Sequence, residues 1–160
     1  MSETQLGGGE AAPANHLGQN IGKILRTDWI DIPRQALGAS AGPGALSSDE
    51  RPVGAFRFSA QWLRAQGLDP AMLSAIAVTG DSMEPTLRDG DEILVDRAPN
   101  PLRDGVHVVR LGEALMVKRL NLGQPGRVVL ISDNRAYLPI NLAPAEVQII
   151  GRVVWKSGRI

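Results

Sequence analysis

The stretch Ile76-Ala-Val-Thr-Gly-Asp-Ser-Met-Glu-Pro-Thr-Leu-Arg-Asp-Gly-Asp-Glu-Ile-Leu-Val95 decides how this chain is read. Two short apolar, β-rich runs, Ile76–Val78 and Glu92–Val95, flank a segment that must turn. Gly80, Pro85 and Gly90 punctuate it and leave no room for a continuous element. The same pattern continues to the end of the chain. Val106–Val109, Ala114–Lys118, Val128–Ile131, Val147–Ile150 and Val153–Trp155 are strand-sized runs. Between them stand Asp104-Gly105, Leu111-Gly112, Gly123-Gln-Pro-Gly126 and Asp133-Asn134. The predicted fold is mainly β, a compact domain of many short twisted strands.

Upstream of this region one stretch reads as a helix. Ser59 can cap Gln61-Trp-Leu-Arg-Ala-Gln66, and Gly67 stands where a helix ends in left-handed backbone. Asp69-Pro70 then opens a second short helical turn over Ala71–Ala75, with Pro70 at its first position. Earlier still, residues 1–20 are poor in large apolar side chains and read as disordered. Asn20–Pro33 is expected to be extended towards its end. Ala36–Leu46 is rich in Gly, Ala, Ser and Pro, and reads as a connector. The predicted organisation is an N-terminal tail over 1–35, a connector and first strand over 36–58, and the β-rich domain over 59–160.

Composition narrows the chemistry. With 160 residues, 43% of them hydrophobic and 21% charged, the chain can bury a core as an ordinary globular protein does. Its 17 basic and 17 acidic residues cancel, which argues against a dedicated nucleic-acid coat. The lack of cysteine removes disulfides, thiolate metal sites and a cysteine nucleophile. No run approaches the roughly 18 apolar residues of a membrane span. No basic and then apolar leader opens the chain, so the cytoplasm is the expected location. Of the two histidines, His16 lies in the tail and His107 alternates within an apolar strand; no metal or cofactor is expected from either.

Two windows carry candidate chemistry. Ser82 stands at the mouth of the turn described above, where a side-chain oxygen and backbone N–H groups are exposed together. Its plain alternative is a local turn cap. In Leu115-Met-Val-Lys-Arg-Leu120, strand alternation puts Lys118 on the face of Met116 and Leu120 and turns Arg119 the other way. An ammonium aimed at an apolar face is costly. Desolvation lowers its pKa, and a neutral amine can serve as a general base to a serine. The plain alternative is a lysine whose stem packs while its charge stays wet. Asp81, Glu84, Asp89 and Asp91 read as turn caps. Tyr137 and the three tryptophans read as core or dimer-surface packing.

Taken together, these residues resemble the self-cleaving domain of the LexA, UmuD and phage CI repressor family. The resemblance rests on Gly80-Asp-Ser-Met-Glu-Pro-Thr-Leu87 with Asp89-Gly-Asp91, and on Val117-Lys-Arg-Leu120. Ser132-Asp-Asn134 with Tyr137 and Pro139, then Ile150-Gly-Arg-Val-Val154, complete it. It covers roughly residues 36–158 and extends to the related signal-peptidase catalytic core. It implies a serine peptidase in which Ser82 is the nucleophile and Lys118 the general base. Backbone N–H groups of Asp81 and Ser82 would hold the oxyanion. The bond implied for cutting is Ala41-Gly42, in Gly38-Ala-Ser-Ala-Gly-Pro-Gly44. Small side chains there suit an extended segment entering a narrow cleft. The resemblance further implies a homodimer, through a paired edge strand around Ile149–Trp155, and a RecA–single-stranded DNA filament as a possible activator.

Two departures from that family stand out. Residues 1–35 are too short and too poor in helical pattern for a helix-turn-helix, so this chain is not expected to bind an operator itself. It reads as a fragment or as a free-standing member like UmuD. LexA and UmuD also place a threonine two residues before the lysine. Met116 stands there instead, which can remove a hydrogen bond to the amine. The competing readings are a non-cleaving dimerisation module of a repressor and a UmuD-like accessory to SOS mutagenesis.

Overall fold

The computed structural model describes residues 28–35 and 52–160. Nine strands within them form one sheet. They are β1 (Trp29–Gln35), β2 (Gly54–Ser59), β3 (Leu73–Ala77), β4 (Glu92–Asp96), β5 (Gly105–Leu111), β6 (Ala114–Asn121), β7 (Val128–Ile131), β8 (Ile140–Leu142) and β9 (Gln148–Ser157). Across the sheet they run β2-β1-β3-β4-β9-β5-β6-β7-β8. Only β1 and β3 are parallel; every other neighbouring pair is antiparallel. The mainly β class read from the sequence is the observed one.

The helix is α1 (Ala60–Ala65). Ser59 Oγ accepts from the Trp62 N–H at 3.3 Å, and Gly67 takes φ 70° just beyond the helix end. Leu63 of α1 enters a cluster with Ile32, Leu73, Ala75 and Leu94, around which Phe58 stacks on Trp62 and meets Trp155 edge-on. A second cluster gathers Ile76, Val78, Met83, Leu87, Ile93, Val95 and Val108. A third holds Val109, Leu120, Val128 and Leu130. The second cluster matters most to the site, because it roots the Ser82 turn through Met83 and Leu87.

Four details differ from the sequence expectation. The end of the N-terminal stretch is not outside the fold: β1 pairs with both β2 and β3, and Ile32 is fully buried. The helical turn opened by Asp69-Pro70 is only Pro70–Met72, and β3 begins at Leu73. Leu73, Ser74 and Ala75 are buried between two paired strands, and that burial outweighs their helical propensity. Strand β8, three residues long, was too short to leave a pattern. Finally, β9 is not an outer strand of the sheet. It lies between β4 and β5, pairing with β5 over Gln148–Arg152 and with β4 over Arg152–Ser157. Only Arg152 is paired on both sides, and each half of β9 keeps one side without a ladder partner among the described residues.

Candidate active site

The Ser82 turn is a loop clamped at its base. Val78 N–H donates to the Asp91 carbonyl at 2.7 Å and Gly90 N–H to the Val78 carbonyl at 2.9 Å. Gly80 and Gly90 take φ of 82° and 84°, left-handed backbone that a side chain would strain. Asp89 accepts from Gly80 N–H at 2.7 Å and Asp91 from Arg88 N–H at 2.9 Å, the capping role read for them from sequence. Met83 and Leu87, each 2% exposed, anchor the loop from below, and Leu87 N–H closes on the Met83 carbonyl. The loop is thus held rigid while Ser82 at its crest stays half-buried. Among the described residues, the Asp81 and Ser82 N–H groups donate no hydrogen bond to protein.

Lys118 lies on β6 with Leu120 on the buried side, as the alternation predicts, and is 8% exposed. Burial pushes its ammonium below the ordinary lysine value. Among the described residues no carboxylate pairs with it. Its hydrogen bond runs to Ser132, with Nζ donating to Oγ at 2.6 Å in a buried setting. The Tyr137 ring lies 5.6 Å from Nζ, centroid to nitrogen, where its π-face favours the cation. Arg119 points the other way and pairs with Asp133 through two bonds of 2.8 and 2.7 Å, which hold that carboxyl below its usual range.

The segment from Ser132 to Tyr137 ties the two windows together. Asn134 N–H donates to the Ser82 carbonyl at 3.0 Å, and Asn134 Nδ2 donates to the Asp81 carbonyl at 3.1 Å. Tyr137 Oη donates to Asp81 Oδ1 at 2.5 Å while its ring faces Lys118. Ser82 and Lys118 are therefore both hydrogen-bonded to one six-residue segment. Lys118 hydrogen-bonds Ser132 rather than Ser82. Sequence reasoning quoted Ser132, Asn134 and Tyr137 but gave the first two no role. Tyr137, read as packing, is 44% exposed and serves as a bridge instead.

Ala41 and Gly42 lie outside the described residues. The strands flanking their connector do not. β1 ends at Gln35, which pairs with Ile76 in parallel, so β1 and β3 leave the sheet at the same end. Beyond Ile76 the chain runs through Val78 into the Ser82 turn, and Arg34 at this end is held to Glu92 at 2.6 Å. His107 is an ordinary buried strand histidine: Nδ1 meets the Gly105 carbonyl at 2.9 Å, and burial lowers its pKa. A cleft of about 800 Å³ lined by His107, Arg97 and Arg152 includes neither Ser82 nor Lys118. No helix among the described residues is long and apolar enough to cross a membrane.

Comparison with known proteins points to one family. A family model described as Peptidase S24-like matches residues 36–154. The chain is 37% identical over 128 residues to the 26 kDa repressor protein of Escherichia phage HK022, covering 77% of this chain and 52% of that protein. It is 33% identical over 141 residues to the HTH-type transcriptional regulator PrtR of Pseudomonas aeruginosa, covering 83% and 55%. With the repressor protein CI of Enterobacteria phage phi80 it shares 29% over 137 residues, covering 83% and 58%. The chain thus spans little more than half the length of these relatives.

Proposed function

This chain belongs to the Peptidase S24-like family, and on that premise we propose that it is the self-cleaving serine peptidase domain of a phage-type repressor. The observation that carries the reading is the shared 132–137 segment, which hydrogen-bonds the Ser82 carbonyl at one point and the Lys118 amine at another. Support for the substrate comes from the strand order. The connector leaves β1 at the same end of the sheet from which the chain enters the Ser82 turn.

The chemistry follows from these groups. Neutral Lys118 takes the proton of Ser82 Oγ as that oxygen attacks the Ala41 carbonyl carbon. The oxyanion is met by the Asp81 and Ser82 N–H groups, which have no protein partner among the described residues. As the intermediate collapses, the Ala41–Gly42 C–N bond breaks and the Gly42 nitrogen receives the proton from Lys118. Water, deprotonated by the same amine, then opens the Ser82 ester and releases the Ala41 carboxylate. Tethering supplies the substrate at high effective concentration, so no second molecule need bind. Separation of the two halves would be the regulatory event. That the phage HK022 and phi80 relatives are repressor proteins suits that role. A homodimer through the Ile149–Trp155 stretch, as the resemblance implies, has backbone to use, since Ile149 and Gly151 pair only with β5 and Val153 and Trp155 only with β4.

Intact mass after overnight incubation near pH 7 and near pH 10 tests this reading. Two fragments meeting between Ala41 and Gly42, absent from Ser82→Ala and from Lys118→Ala, are the expected result. A chain that stays whole at both pH values, with and without a RecA–single-stranded DNA filament, would reduce it to a non-cleaving module.

A further inference from the structure

We propose that Ser132 is the positioning residue of the lysine base, holding the Lys118 amine in place through its side-chain hydroxyl. This rests on the Ser–Lys reading above and adds a third side chain to it.

Geometry is the main argument. β6 and β7 pair with Arg119 opposite Ile131 and Leu120 opposite Leu130. The next step of that ladder sets Lys118 against Ser132, the first residue past β7. Both side chains are buried, at 8% and 7% exposure, and their bond is 2.6 Å. A buried ammonium with no hydrogen bond would be strongly disfavoured, and Ser132 is the side-chain oxygen that supplies one. Met116, two residues before Lys118, cannot do so, because its thioether packs into the third apolar cluster beside Val109 and Leu120.

Chemistry explains why a hydroxyl fits. Oγ accepts an N–H from the amine in either protonation state, so the contact survives transfer of a proton to and from Nζ. One N–H held by Ser132 fixes rotation about the last bonds of the lysine, and the nitrogen lone pair can then turn to Ser82. The four-carbon stem would otherwise sample several rotamers. Ser132 is too enclosed to be a nucleophile for a chain segment, whereas Ser82 is half-buried on a loop crest. The segment's other contacts, through Asn134 to Ser82 and through Tyr137 to Asp81, keep the hydroxyl in register with the turn.

Two readouts test this. The first is the first-order cleavage rate against pH for wild type, Ser132→Ala and Ser132→Thr. Ser132→Ala is expected to lower the plateau rate by roughly tenfold to a hundredfold. It should also move the midpoint to lower pH, because the charged amine loses its acceptor. Ser132→Thr, which keeps the hydroxyl, should restore both. The second readout does not need cleavage. The chain has three lysines, Lys23, Lys118 and Lys156, so 13Cε-lysine NMR can follow Lys118 alone in a Ser82→Ala background. Adding Ser132→Ala should shift its titration to lower pH, with the fold intact by circular dichroism. An unchanged Lys118 titration overturns the positioning role, whether or not the wild type cleaves. A threonine variant as impaired as alanine overturns it too. If wild type stays whole yet the titration shifts as expected, Ser132 holds the lysine and the peptidase reading alone fails.

Discussion

Gln35 pairs in parallel with Ile76, so the strand that ends in the connector and the strand that leads to Ser82 leave the sheet side by side. A parallel neighbour is unusual in this sheet, and it decides which end the connector departs from. Arg34, one residue earlier, is pinned to Glu92 on β4, the strand on the far side of β3.

That pin can be tested. Arg34→Ala leaves the Glu92 carboxylate partly buried and without its cation, and should lower stability by about 1 kcal/mol in urea unfolding. The Arg34 side chain is 34% exposed, so solvent screening keeps the effect modest. An unchanged midpoint would mean that the ion pair contributes nothing to holding β1.

The pH dependence of cleavage follows from the sign at Lys118. Burial lowers its pKa, so the neutral base is reached at lower pH than in a free lysine. Rate should rise about tenfold per pH unit and then level off below the ordinary lysine range of about 10.4. A rate that climbs without bend past that range would assign the titration to an unburied amine or to hydroxide.

His107 governs a separate window. Its pKa is depressed mainly by burial, so the unfolded chain takes up the proton first as pH falls. Stability should therefore drop as pH falls through about 6.5, the unfolded value, and the drop should end below the lower folded value. The slope is some part of the roughly 1.4 kcal/mol per pH unit that one proton can supply. His107→Gln should flatten the curve between pH 7 and 5 in chemical denaturation.

Gly151 offers a packing test at the centre of the sheet. A Cβ there would stand 2.5 Å from the Asp96 carbonyl oxygen and 2.7 Å from Val95 Cγ1. Backbone on one side cannot yield as a flexible side chain would. Gly151→Ala should cost about 1–3 kcal/mol, read as a lower thermal midpoint. Gly54→Ala, with open space around it, is the control expected to change little.

Much of this molecule was legible in its residues. Gly80, Pro85 and Gly90 announced the turn, because few residues tolerate left-handed or proline-fixed backbone. Alternation around Lys118 announced a buried amine, because side chains on a strand change face at every step. Ser59 and Gly67 marked the helix ends through local hydrogen bonding. Each of these is a short-range constraint, enforced within a few residues of the chain. Ser132 and Tyr137 were visible as part of a motif, yet their parts in the site were not. The β6–β7 register sets one against the amine, and the 132–137 turn carries the other across to Asp81. The inclusion of β1 in the sheet and the place of β9 between β4 and β5 were likewise hidden. Strand order and register depend on which distant surfaces bury each other best, and that competition is settled only when the whole chain has folded.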